Sequence, residues 1–183
     1  QKMSEMIKPG ITTKELDVAA YKIIKNAGAT PSFLNYQGFP ASICTSINDV
    51  VIHGIPSGRT LQEGDIISID VGANFHGYHG DSAWTYAVGR ISQENQHLLE
   101  IGEKCLYEGL KHIRHGIRLT DISHAIQVCF LDNGYSTPLD YSGHGIGKAL
   151  HEKPAVMNYG LAGRGPILKK GMTLAVEPMI IAG

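Results

Sequence analysis

Apolar residues recur at helical spacing over three stretches of the chain. Leu16, Ala20, Ile23 and Ile24 mark one face of a helix over about residues 13–27, with Thr12 and Glu15 at capping-box spacing and Gly28 as its stop. Ser92 caps a longer helix that the pattern carries to His115, with Leu98, Leu99, Cys105, Leu106, Leu110 and Ile113 as its stripe and Gly116 at its end. A third helix begins at Thr120 and stops before Gly134, with Ile122, Ala125, Ile126 and Cys129 inward. Strands are predicted over residues 42–48, 65–73, 78–88 and 172–181. Asn74-Phe75-His76-Gly77 reads as a tight hairpin turn between the second and third of these. The mixture is α+β, with a mostly antiparallel sheet covered by helices.

The pattern occurs twice. Leu61 to Asp70 (LQEGDIISID) and Leu168 to Glu177 (LKKGMTLAVE) share Leu-x-x-Gly followed six positions later by a carboxylate, at an offset of 107 residues. Upstream, Gly10-Ile11 and the helix ending at Gly28 and Pro31 match Gly116-Ile117 and the helix ending at Gly134 and Pro138. The simplest reading is two related halves, about residues 1–88 and 92–183, in one pseudo-twofold domain spanning 1–183; the alternative is two ordinary helix–loop–strand units alike by chance. If the halves fold face to face, Asp70 and Glu177 converge on one site. The same offset places the start of the counterpart of the 92–115 helix before Gln1, and the counterpart of the strand carrying Asp81 near position 188, so the domain reads as truncated at both ends.

Composition narrows the partners. The 183 residues suit one compact domain, 43% of them are hydrophobic, and the net charge of −1 carries no polybasic footprint, so no nucleic-acid partner is expected. No apolar run is long enough to span a bilayer, so no membrane partner is expected. Cys44, Cys105 and Cys129 lack CxxC spacing and suit reduced thiols in the cytoplasm.

The carboxylates carry the chemistry. A hairpin centred between Phe75 and His76 sets Asp70 opposite Asp81, about 5 Å apart, where two acids repel unless a cation lies between them. Glu177 repeats Asp70. His144 sits in Ser-Gly-His-Gly-Ile-Gly, where glycines admit close backbone approach and aim the imidazole. Oxygen ligands with one imidazole suit Mn, Fe, Co or Zn. His53 and His151 each precede a proline-stiffened loop and are candidate donors or acceptors beside the metals. His76 and His79 flank the hairpin turn as surface or supporting groups, and His97, His112, His115 and His124 fit solvated helix faces. Phe33, Tyr36 and Phe39 form an aromatic cluster, either a core patch under a loop or an apolar pocket for a substrate side chain. No GxSxG, Walker A or GxGxxG motif is present.

Taken together, HGIP at His53, SIDVG at Asp70, HGDSAWT at Asp81, SGHGIG at His144, HEKP at His151 and AVEPM at Glu177 resemble the type I methionine aminopeptidases over essentially the whole chain. The resemblance implies a "pita-bread" (creatinase/aminopeptidase) fold and two divalent metal ions, Mn, Co, Fe or Zn. It implies removal of the initiator methionine by hydrolysis of the first peptide bond. In that reading Asp70 binds one metal bidentately, Asp81 bridges the two, and His144 and Glu177 hold the other. Glu177 doubles as the base, His53 contacts the substrate near the scissile peptide, and His151 stabilises the tetrahedral intermediate. Phe33, Tyr36 and Phe39 line the pocket for the methionine side chain.

The implied substrate is a peptide or nascent chain with Met first and a small residue second, with a monomeric enzyme in transient contact with the ribosome. A fifth ligand, a bridging glutamate, is expected near position 188, past Gly183; without it the second metal is expected to bind weakly and hydrolysis to be poor. The alternative is a truncated or inactive relative acting as a binding module. A proline-specific relative is less favoured, because such enzymes usually carry a large N-terminal domain of which these residues show no trace, and HGIP points to type I over type II.

Overall fold

The computed structural model describes residues 3–182. The chain forms two compact units, Gln1–Gln96 with Lys148–Leu150 and His97–Gly147 with His151–Gly183. Among the described residues, no helix is long and apolar enough to cross a membrane.

The first unit is built on α1 (Thr13–Asn26) and four strands. The capping box forms: Glu15 N donates to Thr12 Oγ1 at 3.2 Å, and Thr12 N donates to Glu15 Oε2 at 2.8 Å. Thr12 Oγ1 also donates to Glu15 Oε2 at 2.6 Å, and this bond first, then the one from Thr12 N, holds the exposed Glu15 carboxyl below its ordinary pKa. The strands are β1 (Thr30–Pro31), β2 (Ile43–Ile47), β3 (Ile66–Phe75) and β4 (Tyr78–Ala87). All pair antiparallel with β3: β4 along one edge, β2 and then β1 along the other. Strand alternation separates the two faces of β3. Ile67 and Ile69 join Leu16, Ala20, Ile43 and Ile47 in the core beneath α1, while Ser68, Asp70, Gly72 and Asn74 alternate onto the other face. Leu16, Ile43 and Ile67 have no exposed surface, each burial contributing about 1.5–3 kcal/mol.

The second unit holds α2 (Gln93–Leu110) from residue 97 onward, α3 (Thr120–Asp132) and a three-stranded antiparallel sheet. Its strands are β5 (Ser142–Gly145), β6 (Glu152–Met157) and β7 (Leu174–Ala175), in the order β6-β5-β7. Ile122, Ile126, Cys129 and Phe130 of α3 pack with Ile101 and Cys105 of α2 and Val156 of β6.

The sequence repeat has a counterpart in the hydrogen bonds inside each unit. Gly10 N donates to Leu61 O at 2.9 Å, and Gly116 N to Leu168 O at 2.9 Å. Thr13 Oγ1 donates to Ser57 O at 3.0 Å and accepts from Ser57 N at 2.8 Å. Thr120 Oγ1 does the same with Arg164, at 2.9 and 2.7 Å. Gly28 and Gly134 both end their helices at φ 76, the left-handed conformation that glycine adopts without steric cost.

Four elements differ from the sequence reading. The 92–115 helix ends at Leu110, leaving Leu110 and Ile113 exposed; its buried row is Ile101, Cys105 and Gly109. The predicted strand over residues 172–181 is regular only at Leu174–Ala175, with a single further bridge from Ile181 to Ser136. β5 and β6 were not predicted, because SGHG and EKPAVM lack hydrophobic alternation. At the start of the chain Gln1 and Lys2 lie outside the described residues, and Ser4–Met6 form a 3-10 turn.

Gly109 sits where α3 crosses closely: a Cβ there would stand 2.8 Å from Ile126 Cγ1. At Gly102, on the same helix, a Cβ would meet nothing. Gly109→Ala should therefore lower stability by about 1–3 kcal/mol through overpacking, while Gly102→Ala raises it by up to about 1 kcal/mol through helix propensity. Urea denaturation of the two variants checks the opposite signs.

Candidate functional site

In the first unit the hairpin register decides where the carboxylates point. The turn is the two-residue His76-Gly77, with φ 51 and 84, as a type I′ turn requires. Gly77 N caps it by donating to Asn74 Oδ1 at 3.1 Å. Asp70 therefore pairs with Ala83, and Asp81 with Gly72, in place of the direct Asp70–Asp81 pairing expected from a turn centred one residue earlier. Each partner moves by two positions, so both carboxylates remain on one face. They stand as diagonal neighbours about 7–8 Å apart in backbone position. Both side chains are half-buried.

That face carries two more groups. Cys44 on β2 pairs directly with Asp70. Its buried thiol is pushed up to about 12, first by loss of water and then by the negative charges of Asp70 and Asp81. The second group is Phe33. A Cβ on Gly72 would lie 2.5 Å from the Phe33 ring, so the missing side chain is what lets the ring settle on the sheet beside Asp81. Phe33 is buried, and Tyr36 and Phe39 are half-buried on the same irregular loop. Tyr36 N donates to Phe33 O and Phe39 N to Tyr36 O, each at 2.9 Å. His53 lies on another loop of this unit, exposed and at φ 57. Gly54 after it docks on β2, where Thr45 N donates to Gly54 O at 2.7 Å and a Cβ on Gly54 would collide with the Thr45 carbonyl.

In the second unit three of the expected residues lie together. β5 threads between its neighbours on glycine: a Cβ at Gly143 would meet Ala175 O at 2.2 Å, and one at Gly145 would meet Lys153 O at 2.4 Å. His144 between them is buried, and its ring meets that of His151 edge to face, with centroids 4.4 Å apart. His151 itself is exposed. His144 Nδ1 lies 2.8 Å from Gly145 O, and a carbonyl can only accept, so Nδ1 carries the proton. In its neutral form the imidazole then presents a lone pair at Nε2, which lies 3.2 Å from Glu177 Oε1. That carboxylate oxygen is shielded from solvent and accepts no hydrogen bond. Two acceptors at this separation need a proton or a cation between them. An imidazole nitrogen with its other nitrogen bonded to a carbonyl, facing a carboxylate, is the arrangement of a metal ligand pair.

Glu177 is held from behind by Asn158, a residue with no exposed surface, whose Nδ2 donates to Glu177 O at 2.8 Å. No sequence signal marked Asn158. Gly72 did carry one, since a glycine within a strand pattern points to close approach.

A sequence model of metallopeptidase family M24 matches residues 1–183. The chain belongs to metallopeptidase family M24. Within the family it is similar to methionine aminopeptidase 1 of Bacillus subtilis, at 53% identity over 183 residues that cover all of this chain and 74% of that one. The crystal structure of methionine aminopeptidase from Rickettsia prowazekii superposes with a TM-score of 0.98 at 43% identity, covering all of this chain and 73% of that one. The enzyme from Thermotoga maritima gives a TM-score of 0.98 at 40% identity, covering all of this chain and 74% of that one. The fold is therefore the pita-bread fold of M24, and a divalent metal requirement comes with the family. The facing of His144 Nε2 and Glu177 Oε1 at 3.2 Å fits such an ion.

The raised Cys44 pKa has a consequence for stability. In the unfolded chain a cysteine ionises near pH 8.5, whereas folded Cys44 stays protonated toward about 12. Its contribution is complete below about pH 8.5 and is lost as pH rises from there. Alkylation at pH 9 should spare Cys44 in the native chain and modify it in urea, read by peptide mass mapping.

Proposed function

We propose that this chain is a methionine aminopeptidase, hydrolysing the first peptide bond of chains that begin with methionine. The observation that carries this reading is the 53% identity over the full chain to the Bacillus subtilis enzyme of that name. Every motif acid and histidine that the 183 residues reach is in place, so an inactive binding module is not favoured.

We assign Asp70, Asp81, His144 and Glu177 as metal ligands for two divalent ions drawn from Mn, Co, Fe and Zn. Such ions, when bound, supply an acidified water and a polarised scissile carbonyl. The chain's own groups then act around them. Glu177 accepts a proton from the attacking water, its strand held through the Asn158 bond to its backbone. His151, stacked edge-on against His144, donates toward the developing oxyanion. His53, carried on a left-handed backbone, contacts the substrate beside the scissile peptide. Phe33, Tyr36 and Phe39 receive the methionine side chain, an apolar pocket suited to an unbranched thioether. A small second residue fits this substrate class. The proposed setting is the cytoplasm, where Cys44, Cys105 and Cys129 stay as free thiols and a monomer meets nascent chains at the ribosome.

Methionine release from Met-Gly-Met with added Mn or Co should be detected by chromatography and abolished by a chelator. Absence of release above the chelator control with any of the four ions would overturn the proposal. His144→Ala and Glu177→Gln should each lower kcat/KM by about 100-fold or more, since loss of groups that merely support metal ligands already costs 10–100-fold.

A further inference from the structure

The strongest unassigned cluster lies on the sheet face that carries Asp70 and Asp81, and it centres on His79. Gly77 N donates to Asn74 Oδ1 at 3.1 Å, which orients the amide. Asn74 Nδ2 must then donate to His79 Nε2, 2.8 Å away. With Nε2 accepting, the proton sits on Nδ1, which donates to Ser32 Oγ at 2.8 Å. Ser32 is buried, and its own N donates to Gly72 O at 2.8 Å. The next residue is Phe33, whose ring rests on Gly72, the cross-strand partner of Asp81. One chain of bonds thus runs from the hairpin turn, through His79, to the start of the aromatic loop.

We infer that His79 is a positioning residue that sets the loop of Phe33, Tyr36 and Phe39 against the carboxylate face, and so fixes which first side chain the pocket accepts. The inference rests on the peptidase reading above. The loop needs such a tether: Asn35 and Gln37 adopt φ 67 and 49, conformations that non-glycine residues hold only when surrounding contacts impose them. Phe33 has no regular strand to fix it, since β1 stops at Pro31. His79 is two residues from Asp81 on the same strand face, so the tether and the acid share one rigid element. A bond that merely strengthened the hairpin would change stability and act on all substrates alike. A bond that sets pocket geometry changes KM and side-chain preference while leaving metal affinity alone.

The test uses the metal-loaded chain with Met-Gly-Met and Leu-Gly-Met as substrates. His79→Ala should raise KM for the methionine peptide about tenfold, the order of one lost hydrogen bond, with kcat within about twofold. The Met-to-Leu preference should fall by a similar factor. Ser32→Ala should act alike, and the double variant should be no worse than His79→Ala, because both break one bond. His79→Gln, whose Oε1 and Nε2 are spaced much like the two ring nitrogens, should recover most of the loss. Zinc affinity by calorimetry should move less than about twofold. Unchanged KM and preference, additive single variants, or a fall in metal affinity matching the fall in kcat would each overturn the inference. If the unaltered chain releases no methionine, the peptidase reading fails separately. The tether is then read by NMR, where His79→Ala must shift the Phe33 and Tyr36 ring signals, and unshifted rings would overturn it.

Discussion

His144 Nε2 and Glu177 Oε1 face each other across 3.2 Å, with Nδ1 of the same ring committed to a carbonyl. Much of the second unit's local architecture serves to hold these two acceptors in that relation. Glycines on either side of His144 bring β5 against both of its neighbours, closer than any side chain would allow. Asn158 fixes the backbone of Glu177. Glu177 Oε1 is shielded from the water that would otherwise satisfy it, so a proton or a cation shared with His144 is what balances its charge. A pair of this chemistry suits a divalent cation.

The first unit uses a different device for a similar end. Alternation along β3 divides an apolar face, buried under α1, from a face that carries Asp70, Gly72 and Asn74. The acids are placed by strand register, and the register is set by the turn at His76-Gly77. A neighbouring thiol is pushed up to about 12, first by burial and then by the negative charges of Asp70 and Asp81. The aromatic loop meets the face only where Gly72 makes room.

Much of this was legible in the sequence for physical reasons. Helix starts were readable because capping needs particular side chains, as at Thr12 and Glu15. Helix stops were readable at Gly28 and Gly134, where the left-handed backbone favours glycine. The internal repeat was readable because both copies need the same Gly and Leu for the same backbone bonds. The end of α2 was not, because Leu110 and Ile113 continue the apolar period without being buried. β5 was hidden because its strand character comes from the neighbours that flank it, not from its own SGHG. The hairpin register was missed by a single residue in the turn, because His76 takes a positive φ that glycine would normally signal. The roles of Asn158 and His79 depend on contacts far along the chain that no local pattern encodes.

The claim that bears most weight is that a divalent ion lies between His144 and Glu177. Anomalous diffraction at the zinc edge, from crystals grown with zinc, tests it directly. A peak about 2.0–2.2 Å from both His144 Nε2 and Glu177 Oε1 is the predicted result. A map with no peak there, and Nε2 instead donating a proton to the carboxylate, would contradict it.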